Sequence, residues 1–482
     1  MTVWESDHPE ALVSSPEIVQ TSLFGFNGNG KMSGLFDFVL VTADLRASEE
    51  SVDGKSSIIS RVLERSVDRL AADEAIEAIV KDSREKQQAV YEAKFKDQLD
   101  ALTLSLNEVV GSYSPGRKVT VQTSEVELKA PRTTFQLGVV DTDETTSTSV
   151  ERQGHGFQRT LLISALQLLA QSGAASAEGV ICLAIEEPEL FQHPIQAQTF
   201  AKVLRELAED SAMRMQVAYA THSPYFVEAR HFDQVRRLTR SAGESPEVRV
   251  HYSNVDEVQA ALQGIAKPAT VASQLDGVVS NQLAVALFAH RALVVEGPTE
   301  AALFHGIADR GGVGALEAAG TALVAVGGKN SIPLVHAILW ALGIPAYALF
   351  DGDSGFESRA LENGKEAEKI AEERHGHVLA NRTNLRYFKL PEEDFPGEQI
   401  ADHVATFDDH LESFLGKEWP EWAEACAQLE VESGVSLRKN QSAYRTATAR
   451  AVGSVPQFLT TIIAKLEAAA VPMQPRVEGA PV

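Results

Sequence analysis

The sequence predicts an α/β protein in which parallel sheets are built in two successive blocks. Three observations predict it. Two apolar runs of strand length, VICLAIEEPEL and MQVAYATHSP, end in acidic, hydroxyl or imidazole side chains, and a helical pattern precedes them. A second pair, RALVVEGPTE and GIPAYALFDGDSG, ends in carboxylates and is separated by a further strand, glycine turn and helix. In each block the polar residues fall at the carboxyl ends of the runs, the edge where open α/β sheets place their ligands.

Length and composition bound the rest. At 482 residues the chain suffices for two or three domains with a real core. No segment approaches the run of about twenty apolar residues that a membrane span needs, and MTVWESDHPE has no basic region followed by an apolar one, so the expectation is a cytoplasmic protein. The two cysteines, Cys182 and Cys426, lie in an apolar run and a helical pattern and read as core residues. The net charge of −24 opposes a polyanion partner. The charge is not decisive, since an acidic enzyme can bind nucleic acid through a local basic groove and bound metal ions.

Residues 1–35 are polar and irregular. GFNGNGK, Gly25 to Lys31, matches the GxxxxGK part of a phosphate-binding loop, but Met32 stands where Ser or Thr would hold Mg²⁺. Such a loop must run into a helix, whereas the next residues, SGLFDFVLVTADL, read as a buried strand through Phe36 and Phe38 to Val41; a Gly/Asn turn is the preferred reading. From Ser48 to about Gly111 the pattern is helical, with Ile59, Val62, Leu63, Val67 and Leu70 on one stripe and Ile76, Ile79 and Val80 continuing it. The charged stretch KDSREKQQAVYEAKFKDQ is either half of a hairpin covering its own core or a dimerisation arm. KVTVQTSEVEL and TTFQLGVVD are strand-like.

GHGFQR then opens a helix, whose amino end presents Gly154, Gly156 and backbone donors to an anion. VICLAIEEPEL has the form of a Walker B strand, with Glu186 placed to hold Mg²⁺ through water and Glu187 to polarise the attacking water. MQVAYATHSP ends in Thr221, His222 and Ser223, where an imidazole can meet a γ-phosphate. VRRLTRSAGESPEVRVHYS reads as two strands about a turn, with Arg236, Arg237 and Arg240 as a phosphate-facing patch or a solvated strand edge. Residues 254–288 read as helices linking two domains.

In the second block Asp351 and Asp353, two apart on an extended run, converge on one side while Gly352 keeps the backbone compact. If the two runs are neighbouring parallel strands, Glu296 joins them. Three hard oxygen ligands make a Mg²⁺ or Mn²⁺ site, and Glu300, one helical step on, allows a second metal. Helix-capping turns also place acids here, but capping needs neither the fixed order nor two acids on one face. Lys329 in the glycine turn is a phosphate contact or a solvated lysine. ENGKEAEKIAEERHG reads as a charged helix and NLRYFKLPEEDF as a strand ending in acids.

VEGPTE followed some fifty residues later by LFDGDS resembles a Toprim domain, the metal-binding fold of topoisomerases, primases and some nucleases. The order GHGFQR, LAIEEPE, LFQHP and ATHSP resembles the carboxyl-terminal half of an ABC-type ATPase: signature, Walker B with catalytic acid, D-loop and switch histidine. Together, over about residues 36–460 and including FVLVTADLRAS, they resemble the OLD (overcoming lysogenisation defect) family of ATP-dependent nucleases, related to the nuclease of the Gabija anti-phage system. In that family the Walker A loop lies well upstream of such a segment, so the expectation is a chain lacking the first β-lobe.

The resemblance implies a metal-dependent DNA endonuclease in phage defence or DNA processing, coupled to a partial ABC-type ATPase lobe. Glu296, Glu300, Asp351, Asp353 and Glu393 would serve as metal ligands for Mg²⁺ or Mn²⁺. Glu296, Asp351, Asp353 and Glu187 would be catalytic, with Lys439 stabilising the charge on phosphorus. Gly154, Gly156, Gln158, Glu186, Glu187 and His222 would bind ATP. DNA, a second copy of the chain and a partner protein are the implied partners. The expected layout is an ATPase remnant over 1–45, a helical arm over 46–112, the ATPase carboxyl lobe over 113–250, a linker over 251–288, the Toprim domain over 289–471 and a disordered tail over 472–482. The alternative is a regulatory or DNA-binding protein with a degenerate ATPase and a Toprim fold that no longer cuts. A primase or topoisomerase shares the metal site, but two scattered cysteines give no zinc module.

Overall fold

The structure is a computed structural model and describes residues 36–43, 57–125, 127–129, 135, 137–140, 147–175, 180–241, 246–277, 280–434 and 440–469. GFNGNGK, Lys439 and the tail from 472 lie outside the described residues. The chain divides into two compact units, residues 1–221 and 222–482.

In the first unit, β1 (Phe36–Val41) is followed by α1 (Ile58–Ser66), the 41-residue α2 (Asp73–Tyr113), and a short hairpin of β2 (Gly138–Val140) and β3 (Ser147–Ser149). Then come α3 (His155–Ala175), β4 (Val180–Glu186), α4 (Pro194–Glu209) and β5 (Met215–Ala220). Strands β1, β4 and β5 form a parallel sheet in that order. Among the described residues, burial alternates along β1: Val39 and Val41 face the core, whereas Phe38 and Leu40 are about half exposed, so the strand expected to be buried is covered there on one side. The strand expected from KVTVQTSEVEL does not form. Residues 118–125 lie extended beside α2, whose side chains take the place of a partner strand. Val119 N donates to Asn107 Oδ1 at 2.8 Å, Asn107 Nδ2 donates to Val119 O at 2.8 Å, and Val121 N donates to Thr103 Oγ1 at 3.1 Å. These bonds satisfy backbone groups that a β ladder would otherwise take.

The second unit opens with an antiparallel pair, β6 (Arg237–Arg240) and β7 (Val248–His251), and three helices, α5 (Val255–Ala261), α6 (Pro268–Gly277) and α7 (Ser280–Ala286). Beyond them come β8 (Arg291–Val295), α8 (Pro298–Asp309), α9 (Ala315–Ala318), β9 (Thr321–Ala325), α10 (Ile332–Ala341) and β10 (Ala346–Asp351). Next are α11 (Phe356–Glu362), α12 (Ala367–Tyr387), β11 (Gln399–Ile400) and β12 (Val404–Phe407). Helices α13 (Leu411–Glu418), α14 (Pro420–Ser433), α15 (Gln441–Arg450) and α16 (Gln457–Ala468) complete it. The sheet order is β11-β12-β10-β8-β9, parallel except for β11.

Both faces of this sheet are covered, which is why its central strands are apolar throughout rather than alternating. Val294, Ala348 and Phe350 pack on one side with Val258, Leu283 and Ile338; Leu293, Val295, Tyr347 and Leu349 pack on the other with Phe304, Phe407 and Trp419. Val258 on α5, Leu262 at its carboxyl end and Leu283 on α7 therefore belong to the core of the second unit, where the sequence suggested a linker. The strand expected from NLRYFKLPEEDF is the last turn of α12 and then an irregular segment. Its buried stripe, Ile370, Ala380, Asn381, Asn384 and Leu385, is helical in spacing, but two asparagines hide it from a reading based on hydrophobicity.

His336 of α10 is buried in this core. Its Nε2 hydrogen meets Ala346 O at 3.1 Å, and Nδ1 accepts from Tyr387 OH at 2.9 Å, so the neutral ring is fully satisfied. Burial pushes its pKa down to about 4, against the backbone bond to Ala346 and with the help of His403. The unfolded chain, with an ordinary imidazole, binds a proton below about pH 6.5 that the folded chain refuses, so this contribution is complete above pH 6.5 and is lost as pH falls towards 4. Relative to His336→Gln, the wild type is expected to lose about 3 kcal/mol over that window. Urea titrations at pH 7 and pH 4.5 check this, and parallel pH profiles would refute it.

Candidate metal centre and nucleotide half-site

The carboxyl edge of the second sheet is built from the ends of β8, β10 and β12. Leu349 pairs with Val295 in register, so Glu296 emerges beside Phe350 and Asp351. Glu296 Oε1 accepts a hydrogen bond from Asp351 N at 2.7 Å, which brings together two acids 55 residues apart. After Asp351 the chain turns sharply: Gly352 N donates to Phe407 O, Asp353 N to Asp409 O and Ser354 N to Asp408 O, at 2.9, 3.1 and 3.1 Å. Asp353 takes a left-handed conformation, φ 61°. The period-two argument for Asp351 and Asp353 therefore stops at Asp351, because residues alternate in facing only while the backbone stays extended.

The Asp353 carboxylate is held by two cationic or polar partners on one oxygen. Oδ2 is bonded to Lys329 Nζ and lies 2.8 Å from His377 Nδ1, while Arg359 Nη2 stands 4.0 Å from Oδ1. Lys329, expected to be a solvated turn lysine or a phosphate contact, is only 6% exposed. Glu300 reaches back to the start of its own helix: Oε2 accepts from Gly297 N at 3.1 Å and Thr299 Oγ1 at 3.2 Å, a helix cap. Glu393 is exposed, and its neighbours Glu392 and Asp394 pair with Arg386 and Arg382.

Sequence reasoning missed Glu412. It lies on the first turn of α13, its Oε1 accepts from Tyr444 OH at 3.1 Å, and its charge acts on Glu300. The signal was present: VATF followed by DDHLE repeats the pattern of an apolar strand ending in acids. Asp409, in the same stretch, pairs with Arg359 and accepts from Gly355 N at 3.0 Å.

The electrostatics are those of buried acids short of positive charge. Burial, opposed by Lys329 and the Asp351 N–H and reinforced by Asp353 and Glu300, raises Glu296 to about 7. Burial and the charges of Glu296, Glu300 and Asp353 raise Asp351 well above the carboxylate range. Asp353 goes the other way: burial would raise it, but His377 and Lys329 hold it down. The donor set, all hard carboxylate oxygens with excess negative charge, fits Mg²⁺ or Mn²⁺ and not a thiophilic metal. Among the described residues, however, no three His, Cys, Asp or Glu side chains already close round one point. Glu296 and Asp353 each have one oxygen engaged by protein donors, Oε1 by Asp351 N and Oδ2 by Lys329 and His377, and Glu300 must leave its helix cap to coordinate.

In the first unit, β4 ends at Glu186, whose Oε2 accepts from Ala43 N at 3.3 Å beyond the end of β1. Glu187 has φ 43°, and its N–H donates to Ala220 O at 2.8 Å. Gly154 precedes α3, and its carbonyl accepts from Gln158 N at 3.1 Å; the Gln158 side chain turns back to Gln153 O at 2.8 Å. Gln158 thus braces the start of α3. His155 stacks on Phe191 at 4.9 Å, joining the segment that contains Gly154 and Gly156 to the loop after Glu187. His222 is exposed, two residues beyond Ala220, the register partner of Glu186. Of the arginines, Arg237 donates to Gly343 O and Ala289 O and is structural, while Arg236 and Arg240 are exposed.

Residues 10–227 match the family described as AAA ATPase domain, and residues 287–353 match the overcoming lysogenization defect protein-like TOPRIM domain. The OLD nuclease of Thermus scotoductus is 29% identical over 201 residues, 42% of this chain and 35% of that protein. The Old nuclease of Escherichia phage P2 is 24% identical over 262 residues, 53% of this chain and 43% of that protein. The match thus spans well under half the length of each of these relatives. Among solved structures, the C-terminal region of the Burkholderia pseudomallei OLD protein aligns with 38% of this chain and 98% of its own at 17% identity, with a TM-score of 0.26. The chain thus carries a segment that matches an AAA ATPase domain followed by one that matches an OLD-like TOPRIM domain, and it is similar to OLD nucleases.

Proposed function

We propose that this chain is a metal-dependent DNA endonuclease whose Toprim edge cuts and whose ATPase domain regulates cutting. The observation that carries the reading is the hydrogen bond from Asp351 N to Glu296, which joins the two acidic motifs at one sheet edge. Glu296, Asp351 and Asp353 would hold Mg²⁺ or Mn²⁺. When bound, the cation supplies polarisation of a phosphodiester oxygen and activation of water. The chain's own part is to keep three acids on a rigid edge, to hold Asp353 ionised through Lys329 and His377, and to anchor the turn on the end of β12. Glu300 and Glu412, which act on each other electrostatically, are the candidates for a second cation once Glu300 leaves its cap. The test is Mn²⁺-dependent nicking of supercoiled plasmid, abolished by chelator and by replacement of Asp351. Intact plasmid at every metal concentration would favour the regulatory alternative instead.

Gly154, Gly156, Glu186, Glu187 and His222 are proposed as an ATP half-site completed by another segment or chain, in a cytoplasmic protein. Self-association through α2 fits this reading. Phe95, Leu99, Leu102, Leu106, Val109 and Tyr113 recur at alternating steps of four and three, the spacing of a coiled-coil seam, and no described residue of α2 is buried. Leu102→Glu with Val109→Glu is expected to reduce the oligomer to a monomer in light scattering without unfolding it. An unchanged mass would reject α2 as the interface.

A further inference from the structure

Lys329 is the one buried lysine among the described residues, and its place at the acidic edge is unusual. It follows the glycine pair after β9, where Gly327 and Gly328 have φ 74° and 135° and Gly328 N donates to Glu296 O at 3.0 Å. Its ammonium meets three acceptors: Asp351 O at 2.8 Å, Asn381 Oδ1 at 2.7 Å and Asp353 Oδ2. An ammonium has three hydrogens, so these contacts use its donor capacity and leave none for a phosphate of a substrate.

The same contacts belong to a clamp on the turn that carries both aspartates. Asp351 O accepts from Lys329, Gly352 O accepts from Asn381 Nδ2 at 2.9 Å, and Asp353 O accepts from Phe356 N at 3.0 Å. Asn384 Nδ2 in turn donates to Lys329 O at 3.0 Å, fixing the backbone from which the lysine springs. Each carbonyl of the turn is thus taken. Because Lys329 and His377 share Oδ2, Asp353 is held with Oδ1 on the other side, next to Arg359.

We propose that Lys329 is a positioning residue of the metal centre: a buried side chain that, with Asn381, clamps the Asp351–Gly352–Asp353 turn and presents Asp353 Oδ1 to the divalent ion. The inference rests on the reading that this edge takes such an ion. Lys329 acts through Asp353 and the turn and touches no substrate. Partners of this kind, one bond removed from a ligand, change metal affinity by about 10–100-fold when lost.

The experiment is calorimetric titration of the metal-free full chain with Mn²⁺, with amide exchange of residues 351–355 measured in parallel. Lys329→Met is expected to weaken Mn²⁺ by about tenfold or more and to speed exchange across the turn. A lysine that only stabilises the fold would lower the melting temperature and leave Mn²⁺ affinity of the folded variant unchanged, which overturns the proposal. So does tighter binding, the result expected if the ammonium merely competes with the metal. Should Lys329→Met not fold, Asn381→Ser removes the second half of the clamp while keeping the charge; weaker Mn²⁺ binding supports the proposal and unchanged binding overturns it. Wild type that binds Mn²⁺ but leaves plasmid intact defeats the nuclease reading alone, whereas wild type that binds no Mn²⁺ defeats both.

Discussion

Asp351→Asn is expected to lower Mn²⁺-dependent nicking by about a thousandfold, as loss of a charged group at a polarising site does, while making the metal-free protein more stable. The two effects have opposite signs for one reason. Asp351 is buried among Glu296, Glu300 and Asp353, and its carboxyl is raised well above the usual range. A raised folded-state value means that the folded chain holds a proton the unfolded chain has released, so the stability cost is absent in acid and grows as pH rises above the ordinary carboxylate value. Asparagine keeps the shape and removes that cost, but also removes a ligand. Plasmid nicking and thermal melts of the metal-free protein at pH 8 measure the pair. An active variant would sink the nuclease assignment, and a lower melting temperature would show that the charge at position 351 is compensated in the folded protein.

Gly352→Ala is expected to destabilise the second unit by about 3 kcal/mol and to abolish cutting without changing any charge. A Cβ at this position would lie 2.5 Å from Asp408 O and 2.6 Å from Phe407 O, and closer still to Pro396 O. All three obstacles are backbone, so no side chain can swing aside, and Gly352 N is itself bonded to Phe407 O at 2.9 Å. For a unit of this size such a loss corresponds to a fall in melting temperature of about 6–12 °C. Ala at Gly364, where no atom lies within 4 Å of the added carbon but φ is 72°, provides the comparison for backbone strain alone. Equal melting temperatures for wild type and Gly352→Ala would mean that the turn can move away from β12, and the rigid edge would no longer be a sound basis for the site.

Much of the candidate centre is legible in the sequence because its acids terminate local patterns. Glu296 and Asp351 each close an apolar run, and the order of the runs announces neighbouring strands. Glu412 carries the same signal through VATF and DDHLE, but the apolar run before it is only four residues long and does not stand out as a strand. Lys329, Asn381 and His377 carry no such signal. Nothing in a turn lysine or a helix interior marks it as buried, and their mutual contacts join residues 24 to 52 positions apart.

The sequence by itself determined the strand ends, the alternation of strands with helices and the acidic character of one edge, since each depends on a period or a terminus within a few residues. Tertiary structure alone decided that Asp353 leaves the extended path, that Glu300 caps its own helix, and that a lysine sits beneath the aspartates. Those outcomes come from packing: a carbonyl or carboxylate removed from water takes whatever donor the surrounding chain brings within reach, and that donor comes from distant elements whose approach no local pattern encodes.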